Sequence, residues 1–231
     1  MILSKIIGQP PKINKSFYLI NDALERYYTM RKVMVMAWLI LILTAIGGLF
    51  WRSEWVYALP TPVPAGYRPV TTGTKVHWPA GMARPVSSGK PLFLHFFNPD
   101  CPCSRFNVPH FRSLVKQYGQ QANFALVVMT DRGFTPDEVR KRFDLPDGVP
   151  VFHDSLIAAA CGVYSTPQAV IVDSSDQLYY RGNYNRSRYC TDDKSSYARL
   201  ALEDLLHHNL HPVFDPMALK AYGCTLPTCT Q

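Results

Sequence analysis

The sequence predicts an α/β sandwich domain of about 120 residues, carried behind a single membrane-spanning helix. Three observations lead there. Val33 to Trp51 is nineteen residues without a charge. From Lys90 onward, short apolar runs alternate with segments of helical period in the order β-α-β-α, then β-β-α. All six cysteines, Cys101, Cys103, Cys161, Cys190, Cys224 and Cys229, follow the uncharged stretch.

The chain of 231 residues is read in five parts: 1–32, 33–51, 52–88, 89–210 and 211–231. The stretch VMVMAWLILILTAIGGLFW at 33–51 rises about 28 Å as a helix, roughly one hydrocarbon core. A soluble domain rarely buries every side of so long a helix. Before it, Lys5, Lys12, Lys15, Arg26, Arg31 and Lys32 stand against Asp22 and Glu25, a local charge of +4. The positive-inside rule then keeps residues 1–32 in the cytoplasm and sends the remainder across an inner (cytoplasmic) membrane in a single pass, to the periplasm or another extracytoplasmic space. A cleaved signal ending at Val56-Tyr57-Ala58 is the rival reading. Against it, Arg52 and Glu54 separate that site from the apolar run, and the run exceeds the usual h-region of about 7–15 residues.

Residues 52–88 hold Pro60, Pro62, Pro64, Pro69, Pro79 and Pro85 and read as a semi-extended spacer, on which Tyr67 and Trp78 are apolar enough to seek a surface. Pro91 to Asn98, PLFLHFFN, is a buried-strand run. Val108, Phe111, Leu114, Val115 and Tyr118 recur at helical spacing, and Asn123 to Thr130 is a second strand. Thr135 with Glu138 forms a capping box that opens a helix. Val149–His153 is briefly extended, and Ser155 starts a small helix through Ala160. Gln168–Asp173 and Gln177–Tyr184 pair across Ser174-Ser175-Asp176, and Ser196–His208 is a closing amphipathic helix. The part after the span carries 18 basic and 15 acidic residues, too even and too scattered for a nucleic-acid surface. In an oxidising compartment its cysteines can form lasting disulfides.

The stretch NPDCPCSRF at 98–106 puts a cysteine between the end of a strand and a helix that begins at about Cys103 or Ser104. A thiolate there meets unpaired N–H groups and the positive end of the helix dipole. Such placement lowers a cysteine pKa from about 8.5 into the range of roughly 3.5–7.5, which supplies a nucleophile at neutral pH.

Here the chain resembles the thioredoxin superfamily, in particular its membrane-anchored redoxin and TlpA-like members. Cys101 follows LHFFNPD, Pro109 sits eight residues beyond it, and Gly162-Val163-Tyr164-Ser165-Thr166-Pro167 is similar to the family's Gly-Val-x-x-x-Pro before a strand. The resemblance covers roughly 88–210 and implies a thioredoxin-like fold, a central mixed sheet flanked by helices. It implies Cys101 as the attacking sulfur, Pro167 as a cis-proline, and a groove shaped by Thr166 and Pro167 for a partner's extended backbone. The activity implied is thiol–disulfide exchange with the thiols and disulfides of exported proteins or with a membrane reductant, with no organic cofactor and no nucleic acid. In the family register the second cysteine falls on Ser104, while Cys103 sits one position early. Serine cannot resolve a mixed disulfide, so Cys103 or a distant cysteine must. A Cys101–Cys103 bridge closes a small ring, stiffened by Pro102, and should be easily reduced. His95, six residues before Cys101, stands where thioredoxins carry a buried acid and could serve as a base. Equally, it reads as a core histidine bonded to backbone.

Cys190 and Cys161 are possible resolving thiols near the same edge. Cys161 also reads as a small buried hydrophobe. Cys224 and Cys229 most simply form a local structural disulfide, the alternative being a tail that brings a cysteine to the active site. A peroxidase is the other redox reading, but its Pro-x-x-x-Thr/Ser-x-x-Cys pattern is absent, since Leu94 and Asn98 occupy those positions. Two other classes stand beside the enzyme. One is a copper-binding or metallochaperone protein holding Cu(I) on Cys101 and Cys103, with His95, His110 or His153 nearby. The other is an inert thioredoxin-like binding module. His207, His208 and His211 fit the C-terminal end of a helix better than a metal site.

Overall fold

The uncharged stretch lies inside a longer helix. In a computed structural model, which describes residues 15–55, 59–79, 84–86, 89–186, 195–209 and 212–226, helix α1 runs Lys15–Phe50 and closes in a π-helical turn at Trp51–Trp55. It begins well before the expected 33–51. Helix formers populate the charged segment upstream, and Arg26 pairs with Asp22 one turn earlier at 3.0 Å. The helix is long and apolar enough to cross a membrane, and none of its apolar window is buried. Thr44 satisfies its hydroxyl inside the helix by donating to the Ile40 carbonyl at 2.9 Å.

The chain divides into two units, 1–55 and 56–231. The second is built on a five-stranded sheet of order β3-β2-β1-β5-β6. Its strands are β1 Leu92–Phe97, β2 Asn123–Val128, β3 Val151–Phe152, β5 Gln168–Val172 and β6 Leu178–Gly182. The short β4, Ser165–Thr166, precedes β5 and belongs to a second sheet with β7, Cys224–Thr225. β1 pairs with β2 in parallel, Leu92 opposite Asn123 through Phe97 opposite Val128. It pairs with β5 antiparallel, Leu92 opposite Val172. All six residues of β1 are buried, as an apolar strand covered on both faces requires.

Strand alternation divides the core. Phe93 and Phe97 pack with Val108, Phe111 and Leu114 of helix α2, Pro102–Tyr118, and with Ala201 and Leu202 of α5, Tyr197–Leu206. Leu92, Leu94 and Phe96 face the other way, onto Ile157, Ala158 and Cys161 of α4, Ser155–Cys161. Helix α3, Pro136–Arg142, carries the expected capping box, with Thr135 accepting from the Glu138 N–H and Glu138 reaching back. Ser196 caps α5, accepting from the Arg199 N–H at 3.2 Å, and His207 ends it. Helix α6, Pro216–Leu219, closes the described chain before β7.

Residues 59–79 of the Pro-rich stretch belong to this second unit. Val76 is buried in the core beneath α4. Its N–H donates to the Asp176 carbonyl at 2.8 Å, Trp78 Nε1 donates to Asp176 at 3.2 Å, and the Tyr67 hydroxyl donates to the Gly162 carbonyl at 2.7 Å. Tyr67 also sets its ring against Tyr164 at 4.9 Å. The apolar side chains that punctuate the prolines are what dock it.

Candidate functional site

β1 delivers the chain to the turn Asn98–Cys101, and the turn is braced on both sides. The Asp100 N–H donates to Asn98 Oδ1 at 2.9 Å, an Asx turn. The Cys101 N–H donates to the Asn98 carbonyl at 3.1 Å. Arg132 pairs with the Asp100 carboxylate at 3.2 Å. Cys101 is the N-cap of α2, in extended conformation, with Pro102 as the first helical residue. No acidic residue occupies the first turn of α2, so its positive end is left to the sulfur atoms.

The Thr166–Pro167 peptide bond is cis. It turns the Thr166 carbonyl toward the helix, 4.0 Å from the Cys101 sulfur. The site therefore joins the end of β1, the start of α2 and β4.

The bond formed by Cys101 differs from both simple expectations. Cys101 is disulfide-bonded to Cys224, with Cα atoms 6.4 Å apart, within the usual range for the bond. Cys103 is not its partner, and Cys224 is not locally paired with Cys229. The reason is β7: Thr225 lies opposite Ser165 and Cys224 opposite Thr166, which sets the Cys224 side chain beside the cap of α2. Cys103 is buried at the second helical position. The sulfur atoms of Cys101, Cys103 and Cys224 lie within 4.8 Å of one another. Cys101 is 2% exposed, whereas Cys224 retains some surface.

The remaining residues singled out in the sequence divide clearly. Ser104 is buried, and its hydroxyl accepts from the Asn98 N–H at 3.2 Å, holding the turn. Thr166 is fully buried. His95 is fully buried among Phe97, Phe111 and Tyr184, with ring centroids 4.9–5.7 Å away. Neither ring nitrogen has a hydrogen-bond partner among the described residues, so the backbone bond expected of a core histidine is missing too. Burial, with a smaller contribution from the charge of His110, pushes its pKa down to about 3. An imidazole held there stays neutral at physiological pH and accepts a proton poorly, which argues against a role as general base. Cys161 is fully buried beneath the sheet, and burial pushes its thiol up to about 12 against the opposing charge of Arg181. Cys190 and Cys229, like His211, lie outside the described residues. The one cluster of metal-ligating side chains among the described residues consists of the three cysteines; His95, His110 and His153 are not part of it.

Cys224 takes the place that the alternative reading of the tail gave it, beside Cys101, while two residues that hold the tail there, Gly223 and Thr61, escape a reading by motif. The Thr61 N–H donates to the Ala221 carbonyl at 2.9 Å and its hydroxyl to the Gly223 carbonyl at 3.2 Å. The glycine directly before a tail cysteine is the signal that could have found the strand, since a glycine in extended chain marks a close backbone approach.

The fold is thioredoxin-like, a mixed sheet with helices on both faces, and it sets a cysteine at the cap of α2 opposite a cis-proline. Two solved structures share the fold at a TM-score above 0.5. An uncharacterized conserved protein from Geobacillus kaustophilus is 20% identical, with a TM-score of 0.53 over 62% of this chain and 80% of its own. A hypothetical protein from Sinorhizobium meliloti is 17% identical, with a TM-score of 0.52 over 69% of this chain and 95% of its own. The thioredoxin domain of a thiol-disulfide oxidoreductase from Bacteroides vulgatus is 12% identical, at a TM-score of 0.44 over 60% of this chain and 99% of its own. A comparison with curated proteins finds no match. Residues 71–228, which take in the end of the docked linker from 71 to 79, the sheet and β7, match the family described as a domain of unknown function, DUF6436, and the chain belongs to that family.

Proposed function

We propose that this protein is a membrane-tethered thiol–disulfide oxidoreductase acting outside the cytoplasm, with Cys101 as the exchanging sulfur. The observation that carries the reading is the position of that sulfur. It caps α2, lies 4.0 Å from the carbonyl before the cis-proline, and is already engaged in a disulfide with a third sulfur close by. A partner thiolate attacks a Cys101 disulfide, one S–S bond forms as another breaks, and the helix N-terminus stabilises the thiolate on whichever α2 cysteine is released. A second thiolate of the partner then displaces Cys101, so a dithiol leaves as a disulfide and two electrons stay on the cysteines. Run backward, the same steps reduce a disulfide. The partners are exported proteins or a membrane reductant, and α1 anchors the domain by a single span with residues 1–32 in the cytoplasm.

The test is turnover of a dithiol peptide by the full-length protein in detergent micelles, with glutathione disulfide as terminal oxidant. Wild-type protein accelerates oxidation, and Cys101→Ser loses at least 100-fold. Equal rates for the two would end this reading. One observation favours a second reading: three sulfurs within 4.8 Å form, once reduced, a soft donor set for Cu(I). Stoichiometric Cu(I) binding by the reduced protein, lost in Cys224→Ser, together with no turnover by metal-free protein, would place metal handling ahead of exchange.

A further inference from the structure

The C-terminal strand occupies the edge on which an extended partner would pair. β7 adds antiparallel to Ser165–Thr166. Beyond it, the Leu226 N–H donates to the Tyr164 carbonyl at 3.4 Å, and the Leu226 side chain packs against the core beneath α4. Thr61 grips the other side through Ala221 and Gly223. Gly223 passes so close to β4 that a Cβ there would stand 2.1 Å from the Thr166 carbonyl oxygen. Its φ of +142 also suits glycine alone. With the strand in place, Cys101 and Cys103 are each 2% exposed. An outside thiol can then reach neither, yet exchange at Cys101 requires access.

We propose that Cys224 is a resolving thiol carried on a tethered stand-in for the partner's strand, and that Cys103 releases it by taking over the disulfide. This rests on the oxidoreductase reading above. Cys103 gives up its proton and its thiolate attacks the Cys101 sulfur. The Cys101–Cys224 bond breaks, a Cys101–Cys103 bond forms, and the Cys224 thiolate leaves and takes up a proton. The step is redox-neutral and needs no outside oxidant. The freed tail then yields the Ser165–Thr166 edge to an extended, cysteine-bearing segment of an exported protein. That segment takes the place of β7 in the backbone ladder; its thiolate attacks the Cys101 sulfur, the Cys101–Cys103 bond breaks, and Cys103 leaves as the thiolate at the helix N-terminus. Before the swap the disulfide itself holds the tail in place; after it, the tethered tail still competes at an effective concentration in the millimolar range, so weak partners are excluded.

The experiment uses the full chain in detergent micelles, equilibrated in glutathione redox buffers, acid-quenched, alkylated and digested without reduction, with bridges mapped by mass spectrometry. Wild-type protein is expected to hold both bridges, Cys224→Ser the Cys101–Cys103 bridge alone, and Cys103→Ser the Cys101–Cys224 bridge alone with turnover down at least tenfold. In a second arm, the reduced protein reacts with an extended peptide whose single cysteine is blocked as its 2-nitro-5-thiobenzoate mixed disulfide. Gly223→Ala, and separately truncation after Ala221, should react roughly tenfold faster than wild type, the factor expected if the docked tail covers the edge about nine-tenths of the time. If wild type never forms the Cys101–Cys103 bridge while Cys103→Ser turns over normally, the relay is wrong and the oxidoreductase reading survives. Rates within twofold of wild type for both tail variants overturn the competitor role. Absence of turnover in wild type removes the relay and the reading together.

Discussion

Removing the Cys101–Cys224 bond should cost the folded state about 5 kcal/mol at most. The bond joins residues 123 apart in sequence. In the chain-entropy account, a closed loop of that length takes about 16 cal/mol/K from the unfolded ensemble, or about 5 kcal/mol at 25 °C. The figure is an upper bound, because the reduced native state regains entropy if β7 detaches from β4 without global unfolding. The assay is urea unfolding of full-length protein in micelles, read by pulse proteolysis, with the protein oxidised, reduced, or carrying Cys224→Ser. Reduced wild type and the serine variant under the same reducing conditions should coincide, both less stable than protein holding the Cys101–Cys224 bond by about 2–5 kcal/mol. By the same thermodynamic cycle, folding lowers the reduction potential of this pair by up to about 100 mV relative to the unfolded chain. A difference below about 1 kcal/mol between reduced protein and protein mapped to hold the Cys101–Cys224 bond would refute the reasoning, since it would mean that closing this long loop does not constrain the unfolded chain.

Three further outcomes follow from the site. His95, neutral in the fold with a pKa near 3 but about 6.5 when unfolded, adds full stability above pH 6.5 and loses it as pH falls toward 3, because only the unfolded chain binds the proton. At pH 5 the loss is about 2 kcal/mol, and His95→Phe should abolish that part of the pH dependence of the urea midpoint; an unchanged slope would rule it out. Cys161, with its thiol pushed up to about 12, is about one part in ten thousand ionised at pH 8. Iodoacetamide should therefore leave it unlabelled until urea unfolds the protein, and early labelling would reopen its role as a resolving thiol. Ser104→Ala removes the acceptor of the Asn98 N–H and should cost about 1–2 kcal/mol in unfolding free energy, with slower exchange because the turn carrying Cys101 loosens; a variant as stable and as fast as wild type would show that the brace is idle.

The sequence displays the frame of this site because each part of the frame is locally encoded. An apolar run such as 92–97 has little choice but a central strand, and alternation alone puts Phe93 and Phe97 on the face that meets α2. The Thr135 capping box and the Gly-Val-x-x-Thr-Pro turn are readable for the same reason: the residues that make the conformation adjoin one another. What completes the site is not local. β7 is two residues long, too short for any period, and it is a strand only because β4 offers unpaired backbone and Cys101 offers a sulfur, 123 positions upstream. Cys224 and Cys229 look like a pair when adjacency is the only guide, since closing a short loop costs little entropy. The folded domain removes that advantage by presenting a prepared edge, so that docking Leu226 and two ladder residues outweighs the longer closure. Thr61 belongs to the same logic, because a residue in a proline-rich stretch becomes part of the site only when the tail arrives beside it. Chemistry in this chain is thus divided between a frame that is written locally and an occupant that the frame selects.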